Sequence, residues 1–445
     1  MPFDLALLRR RRAVGSFPTA SFNFLSGVLD SRITFSRGTG ATRVNQSGFI
    51  ETVGNTTPRF DYDPVTLAPR GLLIEEARAN IITYSDDWSN PAWTKGGLTV
   101  SSNVTASPDG TVNADKLAED TSVGTHGVTS ALITKAAVAT TYTYSIYVKA
   151  AERTAVQLRI ADAAASANRV ICDANLATQT VTTSVGGTFT NASATITNAA
   201  NGWFRVTLTG TTSTETGLFC IAFLANPAGT ISYTGVTGSG VYLYGAQLEA
   251  GSFATSYIPT VASTVTRNAD VATMTGTNFS TWYNQSQGTF IADVGRFSFV
   301  NSTAFAAFLS ATDNPLANDW IYLIGDGNST VSSYRNNGAD QATIAIASPI
   351  TSGGKASFAY AVNDFAANVN GGAVSTDTSG TLSTDITVLR IGAFATNPTF
   401  LNGHIRTIAY YNTRLPNAQL QTLTAPSLAT TLSLDFTTGS YNVGF

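Results

Sequence analysis

Hydrophobic and polar residues alternate along most of the chain with the two-residue period of a β-strand. In the segment YTYSIYVKA the apolar residues fall on one face and the polar residues on the other, which predicts a half-buried strand. The apolar set is Tyr142, Tyr144, Ile146 and Val148, and the polar set is Thr143, Ser145 and Lys149. In WFRVTLTGT, Phe204, Val206 and Leu208 likewise share a face. Turn residues separate such segments at intervals of roughly 8 to 12 residues, which is typical of a two-sheet β-sandwich.

A second run of predicted strands begins near Thr289 and continues to the segment HIRTIAYYNT. The segment LPNAQLQTLT that follows is predicted to be a helix, because Pro416 suits a helix start and Leu420 and Leu423 are three residues apart. The pattern therefore predicts an all-β protein with two tandem antiparallel β-sandwiches of jelly-roll type and an extended N-terminal arm.

The expected domain boundaries follow from this pattern. The segment TSYIPTVASTVTRNAD contains Pro259 and lacks strong alternation, so we place the junction of the two sandwiches near residue 266. The expected parts are an N-terminal anchoring arm (1–30), a connecting segment packed on the first sandwich (31–94), the first sandwich (95–265), the second sandwich (266–425) and a C-terminal tail strand (426–445).

Composition excludes several function classes. Charged residues make up 12% of the 445 residues, about half the usual share, and 25 basic residues against 28 acidic ones give a net charge of −3. Such a chain has no large basic field for nucleic acid, and its apolar runs are too short for membrane insertion. Cys172 and Cys220 are too few for a disulfide framework and are expected to be buried thiols, while His126 and His404 stand apart in sequence. We expect no cofactor and no metal site.

The N-terminus is chemically distinct, because 10 of the 20 arginines lie between Arg9 and Arg78. An apolar run precedes the basic run there, which is the reverse of the order in a secretory signal peptide. One interpretation is an anchoring peptide that inserts into a partner protein, and the other is a disordered basic tail. The predicted anchor residues are Phe3, Leu5, Leu7, Leu8, Arg9, Arg10, Arg11 and Arg12.

Several stretches, taken together and in order, resemble a family of tailed-bacteriophage fibre and spike proteins. FSRGTGATRVNQSGFIETV, RFDYDPVT, GLLIEEARAN and ITYSDDWSNPAWTK resemble the opening of that family. PDGTVNADKLAED, YTYSIYVKA, NGWFRVTLTGT and GAQLEAGSFATSYIPT resemble its carbohydrate-binding-module-like jelly roll. FLNGHIRTIAYYNTRLPNAQLQTL is similar to the terminal strand and helix of concanavalin-A-like, laminin-G-like lectin folds. Gln419 replaces an acidic residue common in that helix, so lectin calcium or ligand chemistry is not carried over.

The resemblance implies a non-enzymatic virion structural protein, such as a fibre, spike or decoration protein, located on the virion surface. Its expected partners are other virion proteins (capsid, portal or tail) and a host cell-surface glycan. The family also implies a homo-oligomer, with a trimer as the first expectation and a dimer as the second. The alternative function is a depolymerase that cleaves host capsule or lipopolysaccharide.

Two acidic pairs bear on that alternative, since glycoside cleavage uses two carboxyl groups. The pairs lie among arginines, so ion-paired turns that lock an interface are the preferred interpretation. A calcium site at the first pair, next to Pro64, remains a further alternative. The pairs are Asp61 with Asp63 and Glu75 with Glu76, and the arginines are Arg59, Arg70 and Arg78.

Aromatic side chains are the candidates for sugar contact, because a pyranose face stacks on indole or phenol rings. Trp203 and Trp320 each follow polar residues at a predicted turn, and Asp319 and Tyr322 flank Trp320. The alternative at each tryptophan is packing in the core. The pair Trp88 and Trp93 is expected to fix the N-terminal segment to the first sandwich.

Overall fold

The structure is a computed structural model that describes residues 17–226, 228–298, 305–313, 318–325, 328–350, 353–394 and 399–426. Within these ranges the chain is nearly all β, as the sequence predicts, and its strands form two antiparallel β-sandwiches. The predicted anchor residues and positions 427–445 of the predicted tail strand lie outside the described residues.

The first sandwich contains, within the described chain, a six-stranded and a seven-stranded sheet. The six-stranded sheet has the order Thr190–Asn198, Trp203–Thr211, Thr141–Ala150, Gly240–Ala250, Val112–Glu119 and Leu98–Ala106. The seven-stranded sheet has the order Thr180–Gly186, Arg169–Asn175, Ala155–Asp162, Gly217–Ala225, Gly127–Thr129 and Thr94–Gly96, with Ile133–Thr134 beside Gly217–Ala225. A small sheet pairs Val123–Thr125 with Ser232–Thr234.

The core between these two sheets confirms most of the predicted strand faces. Val206 and Leu208 are buried in it, and Phe204 packs against it. Trp88 and Trp93 also lie in this core with ring centroids 4.3 Å apart, so they fix the N-terminal segment to the first sandwich as expected. Both cysteines are buried free thiols, on strands that Ala155–Asp162 separates.

The prediction that YTYSIYVKA forms a half-buried strand is wrong, because both of its faces are buried. The motif GAQLEAGSFATSYIPT returns over the second face and is held by its own polar side chains. Glu249 accepts from Gln247 Nε2 (2.6 Å) and from the Thr255 backbone N–H (2.9 Å), while Gln247 Oε1 accepts from Ile258 N–H (2.6 Å). Thr143 then donates to the carbonyl of the returning segment at 2.8 Å. Small polar residues on that face are therefore covered, although their pattern indicates exposure.

The second sandwich comprises, among described residues, an eight-stranded and a seven-stranded sheet. The eight-stranded sheet has the order Ser375–Asp377, Asp364–Val369, Gly354–Ala361, Gln287–Phe297, Gly403–Tyr411, Pro69–Ile74 and Phe60–Tyr62, with Ala20–Asn23 beside Gly403–Tyr411. The seven-stranded sheet has the order Thr34–Ser36, Val271–Thr275, Val388–Ile391, Ala306–Thr312, Trp320–Gly325, Thr330–Asn336 and Ala339–Ile346. Two further two-stranded pairs join Val265–Arg267 to Arg78–Asn80 and Ala41–Val44 to Ile50–Val53.

Helices are short in the described part of the chain. A 3₁₀ turn spans Phe24–Ser26, and α-helices span Thr277–Ser280 and Asn417–Thr424. The last confirms the predicted closing helix, whose buried Leu420 packs with Ile291 and Tyr411 on the outer face of the eight-stranded sheet. No helix among the described residues has the length and hydropathy needed to span a membrane.

The N-terminal segment is placed differently from the expectation that it packs on the first sandwich. The strands Ala20–Asn23, Thr34–Ser36, Phe60–Tyr62 and Pro69–Ile74 belong to the sheets of the second sandwich. Hydrophobic burial explains this placement, because Phe22, Leu72 and Ile74 lie in the second core. The residues at 20–30 expected to be part of an arm are thus partly a strand of that sandwich.

Buried charges join this segment to the chain between the sandwiches. Arg59 donates to Glu75 Oε2 at 2.7 Å and also contacts Asp270, while Arg37 Nη1 donates to Asp270 Oδ1 at 2.9 Å. Arg267 Nη2 lies 3.5 Å from Glu75 Oε2, and all five side chains are buried. Desolvation alone would raise the pKa of Glu75, but the charges of Arg267 and Arg59 outweigh it and hold that pKa below its usual range. We call these five residues the junction ion network.

Removing one carboxylate from the junction ion network should destabilise the protein strongly. Asp270→Asn leaves three buried guanidiniums with one carboxylate, so we expect the free energy of unfolding to fall by about 3 to 5 kcal/mol. Urea titration followed by tryptophan fluorescence measures this change.

The matched control is Asp63→Asn, which removes an ion pair to Arg70, whose side chain is 41% exposed. We expect a change within about 1 kcal/mol for that variant. Equal, small effects of both substitutions would show that the network contributes little.

A second acid, the partly buried Asp86, has a pKa shifted in the direction opposite to that of Glu75. Burial raises the pKa of Asp86 to about 6, against the lowering effect of the hydrogen bond that Tyr257 Oη donates to it, and the charge of Asp109 raises it further. Because this pKa lies above the unfolded value of 3.8, the folded state binds more protons between about pH 4 and pH 6, and stability falls as the pH rises through that window.

The variant Asp86→Asn has no carboxyl group to ionise at this position, so its free energy of unfolding should not fall with pH for this reason. Relative to the original chain, we expect its free energy of unfolding to increase between pH 4 and pH 7, by an amount on the order of 2 kcal/mol. Urea titrations of both proteins across this range measure the difference. A difference that stays constant with pH would contradict the assignment to Asp86.

Candidate functional site

The five tryptophans differ in exposure, which decides between the two sugar-contact candidates. Trp88, Trp93, Trp203 and Trp282 are all buried, with Trp203 only 1% exposed. The indole N–H of Trp203 donates to the Ala106 carbonyl at 3.0 Å. Trp203 is therefore a core residue, and its proposed role in glycan contact is wrong. Trp320, by contrast, is only partly buried.

Trp320 lies in a small group that we call the aromatic patch: Trp320, Tyr322, Phe394 and Arg335. The indole centroid is 6.1 Å from that of Tyr322 and 5.4 Å from that of Phe394. The guanidinium of Arg335 lies 3.9 Å above the indole, directly opposite it on the next strand, and pairs with Asp340 at 2.7 Å. The patch thus combines partly exposed rings with a cationic donor, on a sheet face away from the core of the sandwich.

Asp319, the third predicted residue, has a structural task instead. It is 4% exposed and accepts from the Asn337 backbone N–H at 2.5 Å and from the Ser383 hydroxyl. Its carboxylate is thus already hydrogen-bonded in the turn that precedes the strand Trp320–Gly325. The structure therefore does not support the prediction that Asp319 contacts a ligand directly. This turn fixes the start of the strand on which Trp320 and Tyr322 point to the same face.

A larger concavity lies where the two sandwiches meet the N-terminal segment, and we call it the junction cleft. Its volume is about 540 Å³, within the range of small-molecule sites. Each of the three parts of the chain contributes a wall. The lining includes Thr42–Val44 and Asp61–Arg70 in part from the N-terminal segment, Thr197–Ala199 and Arg205 from the first sandwich, and Gly295–Ser298, Asn402–His404 and Arg406 from the second.

Charged side chains line the junction cleft densely for a chain so poor in charge. Five arginines and three acids line it, so it is locally basic although the whole chain carries a net charge of −3. The arginines are Arg43, Arg70, Arg205, Arg296 and Arg406, and the acids are Asp61, Asp63 and Glu75.

Ion pairs engage the acidic residues of the cleft. Asp63 pairs with Arg70 at 2.9 Å and accepts from the backbone of its own turn, and its pKa is lowered to about 2 because these bonds outweigh desolvation. Glu75 pairs with Arg59 in the junction ion network, and Glu76, which does not line the cleft, pairs with Arg78. The prediction of ion-paired turns is therefore confirmed.

A contact that sequence reasoning missed joins His404 to Asp61, which are 343 residues apart. His404 Nε2 lies 2.8 Å from Asp61 Oδ2, while Asp61 Oδ1 accepts from the Val44 N–H at 2.6 Å. His404 stands alone only in sequence, because the strand Gly403–Tyr411 pairs with Pro69–Ile74 and brings it to the N-terminal segment. No pattern among neighbouring residues in the sequence predicts this contact.

The acidic residues bear on the possibility of a metal site. In the part of the chain that the structure describes, no three His, Cys, Asp or Glu side chains come together as a metal-binding group. At the position considered for calcium, the carboxylates of Asp61 and Asp63 are bonded to His404, Arg70 and backbone N–H groups.

Comparison with known proteins gives structural matches of low identity and low TM-score. No protein-family model matches the chain, and no curated protein matches it. Among solved structures, it is similar to the CBM40 of Ruminococcus gnavus IT-sialidase bound to α2,3-sialyllactose (16% identity, 34% of this chain, 88% of that chain, TM-score 0.29). It is also similar to the LG4-5 domains of the mouse laminin α1 chain (10% identity, 66% of this chain, 85% of that chain, TM-score 0.21). A third similar structure is Trypanosoma rangeli sialidase in complex with sialic acid (12% identity, 70% of this chain, 60% of that chain, TM-score 0.27).

Proposed function

We propose that this chain is a carbohydrate-binding protein of a virion surface and that its aromatic patch contacts a host saccharide. The observation that carries the proposal is the placement of Trp320, the one tryptophan of five that is not buried. Its neighbours supply what a sugar needs, since Tyr322 adds a second ring and Arg335 adds donors for hydroxyl oxygens. Arg335 stacks over the indole, so in this proposal the saccharide contacts the ring surface that the guanidinium leaves exposed, together with the guanidinium itself.

The virion part of the proposal rests on the sequence resemblance to phage fibre and spike proteins. The arginine-rich start of the chain is its physical basis, because apolar residues followed by four guanidiniums suit insertion into a partner protein. In this proposal the N-terminus attaches to a capsid, portal or tail protein, and a homo-oligomer, first a trimer, presents several patches. Weak single-site binding then gains avidity from the number of copies.

Depolymerase activity is the second candidate, favoured by the contact between His404 and Asp61 in the junction cleft. Glycoside cleavage also needs a carboxylic acid that holds its proton near neutral pH. Two cleft acids have the opposite property, because hydrogen bonds and arginines lower the pKa of Asp63 and of Glu75. We therefore prefer binding without cleavage, and new reducing ends after incubation with host capsule or lipopolysaccharide would overturn that preference.

Replacing Trp320 should abolish saccharide binding while the protein stays folded. Trp320→Ala removes a partly exposed ring, so we expect loss of binding to host-cell polysaccharide, with the free energy of unfolding lowered by no more than about 1 to 2 kcal/mol. Sedimentation of purified protein with host cells measures binding, and urea titration measures stability. Trp203→Ala, which empties a core position, should instead cost about 3 to 5 kcal/mol.

The matched binding control is Phe305→Ala. Phe305 is 46% exposed and precedes the strand Ala306–Thr312, at the end of that strand remote from Trp320. This variant should bind host cells normally. Undiminished binding by Trp320→Ala, or equal loss in both variants, would contradict a role for the patch.

Deleting residues 2–15 should separate attachment from folding. We expect the truncated chain to keep its β-sheet circular dichroism, because every strand among the described residues lies after this segment, and to be absent from purified virions. Immunoblots of purified particles measure incorporation against the full-length chain. Normal incorporation of the truncated protein would show that the N-terminus is not the anchor.

A further inference from the structure

We propose that the junction cleft is a second binding site and that its ligand is an acidic saccharide, recognised by Arg205 and Arg296 through a carboxylate group. This site is separate from the aromatic patch and uses different residues. The inference goes beyond the proposed function, because it adds a site and a chemical class of ligand.

Three of the five cleft arginines already have an acidic partner. Arg43 pairs with Glu51 at 2.6 Å and Arg70 with Asp63 at 2.9 Å. The third, Arg406, lies 3.3 Å from an Asp293 oxygen. These three pairs hold the walls of the cleft, and they are not free to neutralise a ligand.

Arg205 and Arg296 differ from those three. Arg205 donates to neutral oxygens, the Thr255 carbonyl (2.7 Å) and the Ser145 hydroxyl (3.0 Å), and its buried Nε has no hydrogen-bond partner. The charge of Arg205 acts on nearby Glu249, but the described hydrogen bonds of that carboxylate come from Gln247 and Thr255 and not from Arg205. Arg296 is exposed and makes no ion pair or side-chain hydrogen bond with the described residues. Two guanidiniums thus line one concavity without a carboxylate bound to either.

The buried positive charge beneath the floor of the cleft also favours the binding of an anion. The junction ion network contains three guanidiniums and two carboxylates, which leaves one buried positive charge in excess. Arg59 reaches the cleft floor directly, since it donates to the Thr42 carbonyl (3.1 Å) and the Ser256 hydroxyl (2.7 Å), and both residues line the cleft. In a low-dielectric surrounding this excess raises the local affinity for an anion.

The remaining lining selects a saccharide among anions. Hydroxyl and amide side chains occur on all three walls, and they match the donor and acceptor groups of sugar hydroxyls. Examples are Thr66, Thr197, Asn198, Ser298 and Asn402. A carboxylate fits the planar fork of arginine with two parallel hydrogen bonds, so a uronic acid unit satisfies both kinds of partner.

Calorimetric titration of the full chain with digalacturonate, galactobiose and inorganic phosphate tests the proposal. We expect digalacturonate to bind at least about tenfold more tightly than galactobiose, because the neutral sugar lacks the carboxylate that makes charge-assisted hydrogen bonds to arginine. We expect a similar preference over inorganic phosphate, because phosphate has no sugar hydroxyls for the hydroxyl and amide side chains of the lining. Equal affinity for galactobiose or for phosphate would overturn the proposal, and so would absence of binding.

Variants assign any binding to the cleft. Arg296→Gln has no partner to lose and should weaken digalacturonate about tenfold or more, and Arg205→Gln should do the same. Arg169→Gln, an arginine outside the cleft without an acidic partner, is the matched control and should bind like the original chain. Unchanged binding by Arg296→Gln overturns the proposal even if Arg205→Gln fails to fold.

The same titration distinguishes this site from the proposed function. Trp320→Ala should keep its affinity for digalacturonate while it loses binding to host cells. If Trp320→Ala loses digalacturonate and Arg296→Gln keeps it, the acidic sugar binds at the aromatic patch, and the cleft proposal is overturned while the proposed function stands.

Discussion

The junction ion network is the constraint on which the arrangement of the two sandwiches depends. Asp270 holds Arg37 and Arg59, and Glu75 holds Arg59 and Arg267, so separate parts of the chain meet at two carboxylates. A buried ion pair adds little net stability over a hydrophobic contact, but breaking it leaves an unpaired buried charge. Alternative placements of these segments are therefore costly, and the network specifies position more than it adds to stability. The junction cleft exists because the segments are fixed there.

The sequence predicts the two sandwiches well, because alternation within a strand is a local property. It does not predict where the N-terminal segment packs. The sequence around Leu72 and Ile74 is compatible with a buried strand in either sandwich. Which sandwich contains the strand depends on its pairing with Ile405 and Gly403, more than 300 residues away. The prediction that one face of YTYSIYVKA is exposed is wrong for a related reason. Thr143 and Ser145 on that face are small polar residues, and they are covered by a distant part of the chain that returns near Gly251.

Site residues show the same division between local and distant information. Trp203 and Trp320 each follow a polar turn at the start of a strand, so sequence alone treats them alike. One is buried because the Ala106 carbonyl and the residues around it close over the indole, whereas the other faces outward beside Arg335. The cleft could not be predicted at all, because its walls come from three parts of the chain and its chemistry appears only when His404 meets Asp61 and Arg205 meets Thr255.

Low charge in the rest of the molecule gives the few charged clusters their effect. Thr, Ser, Asn and Gly solvate most of the sandwich surfaces, so no broad field competes with the junction for anions. Charge concentrated in a concave, partly desolvated site acts more strongly than the same charge spread over an exposed sheet. Because that site is walled by both sandwiches, an anion bound between Arg205 of the first and Arg296 of the second would also strengthen their junction. In this proposal, ligand recognition and the packing of the two sandwiches against each other would be coupled through the same two guanidiniums.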